Sequence, residues 1–295
     1  MYELIQVSEH GYYVDCPSKI GIVTLPDNRV LLIDSGNDKN AAKKVRGILS
    51  TQGWTLSAIL NTHSHADHIG GNAFLQEQTG CAIFAPAFEA VSVSYPLLEP
   101  TLLYGGNPPS SLRGKFLMAQ PSNVRPLSEA VLPDYVQVIP LAGHTPDMVG
   151  FRVDDVIFLA DCLSSEQTLE KYRIGVLWDV TAYQQTLEAV KTMHASLFVP
   201  SHAQPTADIV PLAQYNLDAV TDIAAHIAAL CKTPLTFDEL LTRLFDDYAL
   251  TMSAEQYVLV GSTVRCYLTY LYEQGTVTTM TDSNRFLWAT KEASV

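Results

Sequence analysis

Over the first sixty positions, apolar residues fall in short alternating or continuous runs instead of at helical spacing. YELIQV (2–7), YYVDCPSKIGIVTL (12–25) and NRVLLIDSG (28–36) predict strands that pair into a sheet, with the turn signal PDN at 26–28 between the last two. After Gly36 the period changes: Ala42, Val45, Ile48 and Leu49 recur on one side of 37–54, which predicts a helix. SAILNT (57–62) reads as a strand, Gly70 and Gly71 open a second helix over NAFLQEQT (72–79), and AIFAP (82–86) reads as another strand.

The alternation continues through VQVIPL (136–141), GFRVDD (150–155), VIFLA (156–160), a helix at 180–194 and SLFVPSH (196–202). Mixed order of this kind argues for an α/β protein with sheets inside and helices outside. Between 88 and 131 regularity fails; Pro, Gly and Ser accumulate there, as in lids and binding loops. Past the break at Gln204-Pro205, helical spacing dominates 211–232, 236–245 and 253–275, and the chain closes with two β-rich runs around Asp-Ser-Asn within 276–290. Helix, helix, hairpin is the order of a winged-helix module. The expected division is therefore a catalytic domain over 1–207 and a small helical, winged-helix-like domain over 208–295.

Composition narrows the function classes. The 295 residues are 47% hydrophobic, enough for a substantial core. No run approaches the roughly 20 apolar residues of a membrane span, and the N-terminus lacks the basic-then-apolar layout of a signal peptide, so the cytoplasm is the expected compartment and no membrane is an expected partner. Cys16, Cys81, Cys162, Cys231 and Cys266 are scattered and form no C-x-x-C pair, which indicates neither a disulfide framework nor a cysteine zinc knuckle. The net charge of −13 opposes attraction to phosphate backbones or anionic lipid. Residues 233–295 carry eight acidic against four basic side chains, so packing or homodimerisation is a better use of a winged module here than nucleic-acid binding.

Chemistry concentrates in NTHSHADHIGGN (61–72). His63 and His65, two apart on a segment leaving a strand, project to one side, and Asp67 and His68 follow where the chain turns into a helix. Imidazole nitrogen and carboxylate oxygen are the donors of open zinc sites. Three more candidates stand near strand ends: His144, Asp161 and His202.

This chain resembles the metallo-β-lactamase superfamily, whose signature is H-x-H-x-D-H followed by a distant His, an Asp and a final His. The resemblance covers about 1–207 and implies an αββα sandwich. It also implies that His63, His65 and His144 hold one metal, that Asp67, His68 and His202 hold a second, and that Asp161 bridges both. Asp34 in LLIDSG matches the family's early aspartate, where a carboxylate behind the ligands orients a histidine. The best-known β-lactamases use a cysteine where Asp161 stands, and Cys162 lies next to it.

The resemblance points to glyoxalase II, lactonases and related hydrolases, and thus to cleavage of a small-molecule ester, thioester or lactone by metal-bound hydroxide, with Asp67 steering it. Zinc suits the donors, and manganese or iron is admitted. A phosphodiesterase or endoribonuclease of the same superfamily, and a metal-bound regulatory protein without turnover, are the alternatives. Arg113, Lys115 and Arg125 could hold an anionic substrate, although solvated lid charges would read the same way. Tyr95, Tyr104, Tyr172, Trp178 and Tyr183 could line a pocket, while His10, His194 and His226 read as surface or capping residues.

Overall fold

The computed structural model describes residues 2–291; positions 292–295, the end of the expected C-terminal domain, lie outside them. Strands β1 (Glu3–Gln6), β2 (Gly11–Asp15), β3 (Ile20–Leu25) and β4 (Arg29–Ile33) form an antiparallel meander. Residues 12–25 are two strands and not one, because Pro17 cannot donate to a ladder and the chain leaves the sheet at 16–19. Helix α1 (Lys39–Gln52) starts at Asp38, whose carboxylate accepts from the Asn40 and Ala41 amides, and buries Ala41, Ala42, Val45 and Leu49. Strand β5 (Thr55–Leu60) returns parallel to β4; helices α2 (Ala66–Ile69) and α3 (Asn72–Thr79) follow, then β6 (Ala82–Ala85).

The stretch expected to be irregular holds helices α4 (Ala87–Ser94) and α5 (Leu98–Tyr104) before β7 (Arg125–Pro126) completes a seven-stranded sheet ordered β1 to β7. Pro96 and Pro100 mask that helicity in the sequence, yet Pro100 falls in the first turn of α5, where its missing N–H costs nothing. The second sheet contains β8 (Val136–Pro140), β9 (Val149–Val153), β10 (Val156–Ser164) and β11 (Leu197–His202), in the order β11-β10-β9-β8. Between β10 and β11 run α6 (Glu166–Tyr172) and α7 (Val180–Lys191).

Four layers result. Between the sheets, Val23, Leu31, Ile33, Leu60 and Phe84 meet Phe151, Val153, Val156, Phe158 and Val199. α1 and α3 cover the outer face of the first sheet. The outer face of the second is covered by α7 and by α8 (Val210–Leu230) from the C-terminal segment, and α9 (Phe237–Asp247) and α10 (Ala254–Glu273) pack onto those helices. The hairpin β12 (Val277–Asp282) and β13 (Arg285–Thr290) turns through Ser283 and Asn284, both at positive φ as a tight hairpin requires.

One apolar cluster runs from Ile157, Leu159 and Leu187 through Val220 and Ile227 to Leu241, Val264 and Leu268, crossing residue 207 without a gap. Asn216 of α8 pins the two parts: its Oδ1 accepts from the Ser164 amide and its Nδ2 donates to the Ser164 carbonyl, both at 2.9 Å.

Candidate metal centre

The seven candidate ligands reach one place by different backbone devices. His63 and His65 lie on the segment after β5, and His65 sits at the N-cap of α2, so the short helix turns Asp67 and His68 back over it. Packing is close there: a Cβ on Gly71 would lie 2.3 Å from the Ser35 carbonyl oxygen, so only glycine fits. His144 follows Gly143, whose φ of +127 and approach to the Tyr183 backbone, 2.4 Å from where a Cβ would stand, exclude any side chain. Asp161 is not beyond the end of its strand but inside β10, beside a register shift at Ala160, whose φ is +50. An irregularity of that kind re-aims the next side chain. Asp161 faces the histidines, and Cys162 is buried in the apolar cluster on the other side. His202 ends β11.

The ligand atoms fall into two groups, His63 with His65 and His144, and Asp67 with His68, Asp161 and His202, each within a 4.8 Å span. Asp161 also approaches the first group, its Oδ2 lying 3.7 Å from His144 Nε2. Hydrogen bonds behind the rings fix which nitrogen is free. His144 Nδ1 donates to the Val176 carbonyl at 2.9 Å and His202 Nδ1 to the Pro17 carbonyl at 3.0 Å. Asp34, buried and at φ +64 after β4, accepts from His68 Nδ1, the Thr62 amide and the Thr62 hydroxyl, each at 2.8 Å. With its proton so committed, Thr62 Oγ1 accepts from His63 Nδ1 at 2.9 Å. Four Nε2 atoms therefore point inward, free to offer lone pairs once their rings are neutral. His65 is reversed: its Nε2 lies 3.4 Å from Glu99 Oε1, and its Nδ1 points toward His144 Nε2 at 3.0 Å.

Among the described residues, His63 Nε2, His68 Nε2 and Asp161 Oδ1 are buried without any hydrogen-bond partner. Such atoms cost about 1–3 kcal/mol each, so three at one point need a reason. His68 Nε2 and Asp161 Oδ1 lie only 3.1 Å apart, yet do not align as donor and acceptor. A cation between them satisfies both, and the nitrogen and carboxylate donors match that role.

Without a cation the cluster splits electrostatically. Burial, reinforced by neighbouring imidazoles, pushes His63 well down and His144 down to about 4. Burial opposes charge on His68 too, but Asp161, Asp67 and Asp34 overcome it, and Asp161 pushes His202 up to about 10. Burial alone would raise Asp67 and Asp161; His68 and His202 hold both far below the carboxylate range. Protons and carboxylates thus neutralise each other where cations would sit.

Supporting groups not singled out in the sequence also appear. Ser18 Oγ donates to Asp67 Oδ2 at 2.8 Å. Glu89 of α4, 1% exposed, accepts from the Ser64 amide and hydroxyl on one oxygen and from the Thr145 hydroxyl on the other, tying the His63–His65 segment to the His144 turn. Burial pushes Glu89 and Glu99 up to about 7. A lone acid inside an apolar run, AFEAVSV and PLLEP, is the only signal that could have marked them. The three cations of 88–131 are engaged locally: Arg113 with the Pro108 carbonyl, Lys115 with Asp38 and Arg125 with Glu129. His10 pairs with Asp154 and His226 with Asp247, away from the centre.

A narrow cleft of ≈ 50 Å³ opens beside these ligands, lined by His144, Asp161 and His202 and by residues of α8 and α10. Of the five aromatic residues weighed in the sequence, Tyr183 lines it. Tyr95, Tyr104, Tyr172 and Trp178 are exposed.

Residues 13–202 match the family model described as metallo-beta-lactamase superfamily. The chain belongs to that superfamily. Its two-sheet core agrees with solved members: a beta-lactamase domain protein from Burkholderia ambifaria superposes with a TM-score of 0.72 at 16% identity, over 98% of this chain and 93% of that one. A metallo-beta-lactamase family protein from Thermus thermophilus gives 0.69 at 17% identity, over 97% of both chains. At these identities the superfamily likeness is one of fold. Among curated proteins, a hydroxyacylglutathione hydrolase of Rhodopseudomonas palustris (strain BisB18) is 32% identical over 130 residues, 43% of this chain and 42% of that protein. That of Xanthomonas axonopodis pv. citri (strain 306) is 33% identical over 140 residues, 47% and 44%. The chain thus spans less than half the length of these curated relatives.

Proposed function

We propose that this superfamily member is a metal-dependent hydrolase of a small ester, thioester or lactone. In this reading His63, His65 and His144 hold one divalent cation, Asp67, His68 and His202 a second, and Asp161 serves both. The observation that carries it is the set of inward, partnerless donor atoms, His63 Nε2, His68 Nε2 and Asp161 Oδ1, each backed by a fixed ring or strand. The curated relatives are named hydroxyacylglutathione hydrolases, and an acyl group on the glutathione thiol is a thioester, which supports the reaction class. The nitrogen-rich donor set favours zinc, and its carboxylates admit manganese or iron.

Cations bound there supply Lewis acidity and bring the pKa of water toward neutrality. The chain's own groups do the positioning. Asp67, held ionised and fixed through Oδ2 by Ser18, orients the attacking water by accepting its hydrogen. Asp34 fixes His68 directly and His63 through Thr62, so the donors need no rearrangement.

Residues 1–207 supply this chemistry, and α8 and α10 close the cleft beside it. The five cysteines are all free, which supports a reducing compartment such as the cytoplasm. Among the described residues no helix is long and apolar enough to cross a membrane.

Metal analysis of purified protein is expected to give about two equivalents, and an ester, thioester and lactone panel to show turnover that a chelator abolishes and that His65→Ala and Asp161→Ala lack. Undiminished turnover in both variants, or cleavage of labelled RNA in place of the panel, overturns the reading.

A further inference from the structure

Residues Cys16 to Lys19 join β2 to β3, and this short loop reaches the ligands Asp67 and His202. The Pro17 carbonyl accepts from His202 Nδ1 at 3.0 Å, and the hydroxyl of the buried Ser18 donates to Asp67 Oδ2 at 2.8 Å. The Cys16 thiol donates to the Val14 and Ser18 carbonyls, which closes the loop on itself. Among the described residues, no hydrogen bond from the loop reaches His63, His65 or His144. Those rings lie against Thr62, Glu99 and the Val176 carbonyl.

Lys19 completes the loop. Its amide donates to the Ser201 carbonyl at 3.3 Å, and its ammonium donates to the Ala203 carbonyl at 2.7 Å and approaches the Ser201 carbonyl at 3.5 Å. These two acceptors flank His202. Lys19 is half-buried, and burial, against the field of Asp15, lowers its pKa. Among the described residues it makes no ion pair. An ammonium bonded to neutral carbonyls gains no charge pairing; what its bonds fix is the backbone. His202 needs that support. It is the last residue of β11, an edge strand, and its side chain, 30% exposed, is the most open of the five candidate histidines.

We propose that Lys19 is a positioning residue: its ammonium clamps the chain on both sides of His202, and with Ser18 it lets the 16–19 loop hold the second cation independently of the first. This assignment rests on the two-cation reading above. A ligand at a strand end moves with its backbone. Loosening 201–203 lets the His202 ring leave Asp67 and Asp161, whose oxygens lie 3.1 and 3.2 Å from its Nε2. His68 stays fixed by Asp34 and Asp161 by β10, so the loss is confined to one site.

The test titrates metal-stripped full-length protein with zinc by calorimetry, and wild type is expected to show two binding events. Lys19→Met keeps the length of the side chain and removes the ammonium. It should weaken the second event by about tenfold or more and leave the first within about twofold. Lys19→Arg should restore part of the loss, and Ser18→Ala should weaken the same event through Asp67. With cobalt as the probe, Lys19→Met should show the spectrum of the three-histidine site before that of the carboxylate-containing one. Thioester turnover lost in Lys19→Met should return with excess zinc, which a general folding defect would not allow. Should Lys19→Met not fold, Lys19→Gln takes its place with the same readout. An intact second event, or equal weakening of both, overturns the proposal while leaving the two-cation reading in place. A wild type that binds fewer than two cations removes both.

Discussion

Asp34 Oδ2 accepts a 2.8 Å hydrogen bond from His68 Nδ1, joining residues 34 positions apart, and the same oxygen takes the Thr62 hydroxyl whose lone pair holds His63. One carboxylate therefore sets two imidazoles that belong to different halves of the centre. Asp34→Ala is expected to weaken metal retention by roughly 10–100-fold, the usual effect of removing a group that orients a ligand. Competition with a chromophoric chelator measures it, and unchanged retention would refute the role given to Asp34.

Glu89 is the corresponding tie across the first triad. Glu89→Ala strands the Ser64 amide and hydroxyl and the Thr145 hydroxyl in a buried place, and each such donor costs about 1–3 kcal/mol. A clear drop in thermal midpoint is expected, together with preferential loss of the metal proposed for His63, His65 and His144. Cobalt-substituted protein distinguishes the two sites spectroscopically; equal weakening of both would count against a local tie.

The metal-free centre should respond to pH in a definite sense. Asp161 pushes His202 up to about 10, so that ring carries a proton at neutral pH, and Asp161, Asp67 and Asp34 drive His68 in the same direction against burial. Cation uptake must expel such protons, and affinity rises with pH. Zinc titration of chelated protein in buffers of different ionisation enthalpy is expected to show net proton release. A histidine raised in the fold adds stability that is full below its ordinary value and lost as pH climbs through the raised one. The melting temperature of metal-free protein should therefore decline between about pH 7 and 10, and metal should remove that slope. Uptake without proton release would contradict the charge arrangement.

Helix α8 and the second sheet share one core, so a chain ending at 207 exposes Leu159, Leu187 and their neighbours. Such a truncation is expected to be insoluble or to bind a dye for exposed apolar surface. In the full chain, Asn216→Ala leaves the Ser164 amide and carbonyl unpartnered and should cost about 1–3 kcal/mol by denaturant unfolding. A soluble, cooperatively melting 1–207 fragment would show that the covering helices are dispensable for folding.

Local pattern was a good guide wherever a residue's role follows from its near neighbours. Apolar runs marked the central strands, and α1, α3, α7 and the C-terminal helices show in their spacing. H-x-H-x-D-H marked one loop as candidate chemistry because strand period and a helical turn bring four donors together within six positions. Helices α4 and α5 were hidden by proline and serine, and α6 went unread.

The amino-acid order by itself fixed the alternation of strand and helix, the superfamily signature and the identity of the candidate donors, since each depends on residue type and short-range period. Only the folded chain decided which nitrogen of each ring faces inward, that Ala160 twists β10 so that Asp161 and not Cys162 meets the histidines, and that Glu89 and Glu99 stand behind the ligands. Those are relations between segments tens of residues apart. They are set by the packing of two sheets and their covering helices, which no local period encodes.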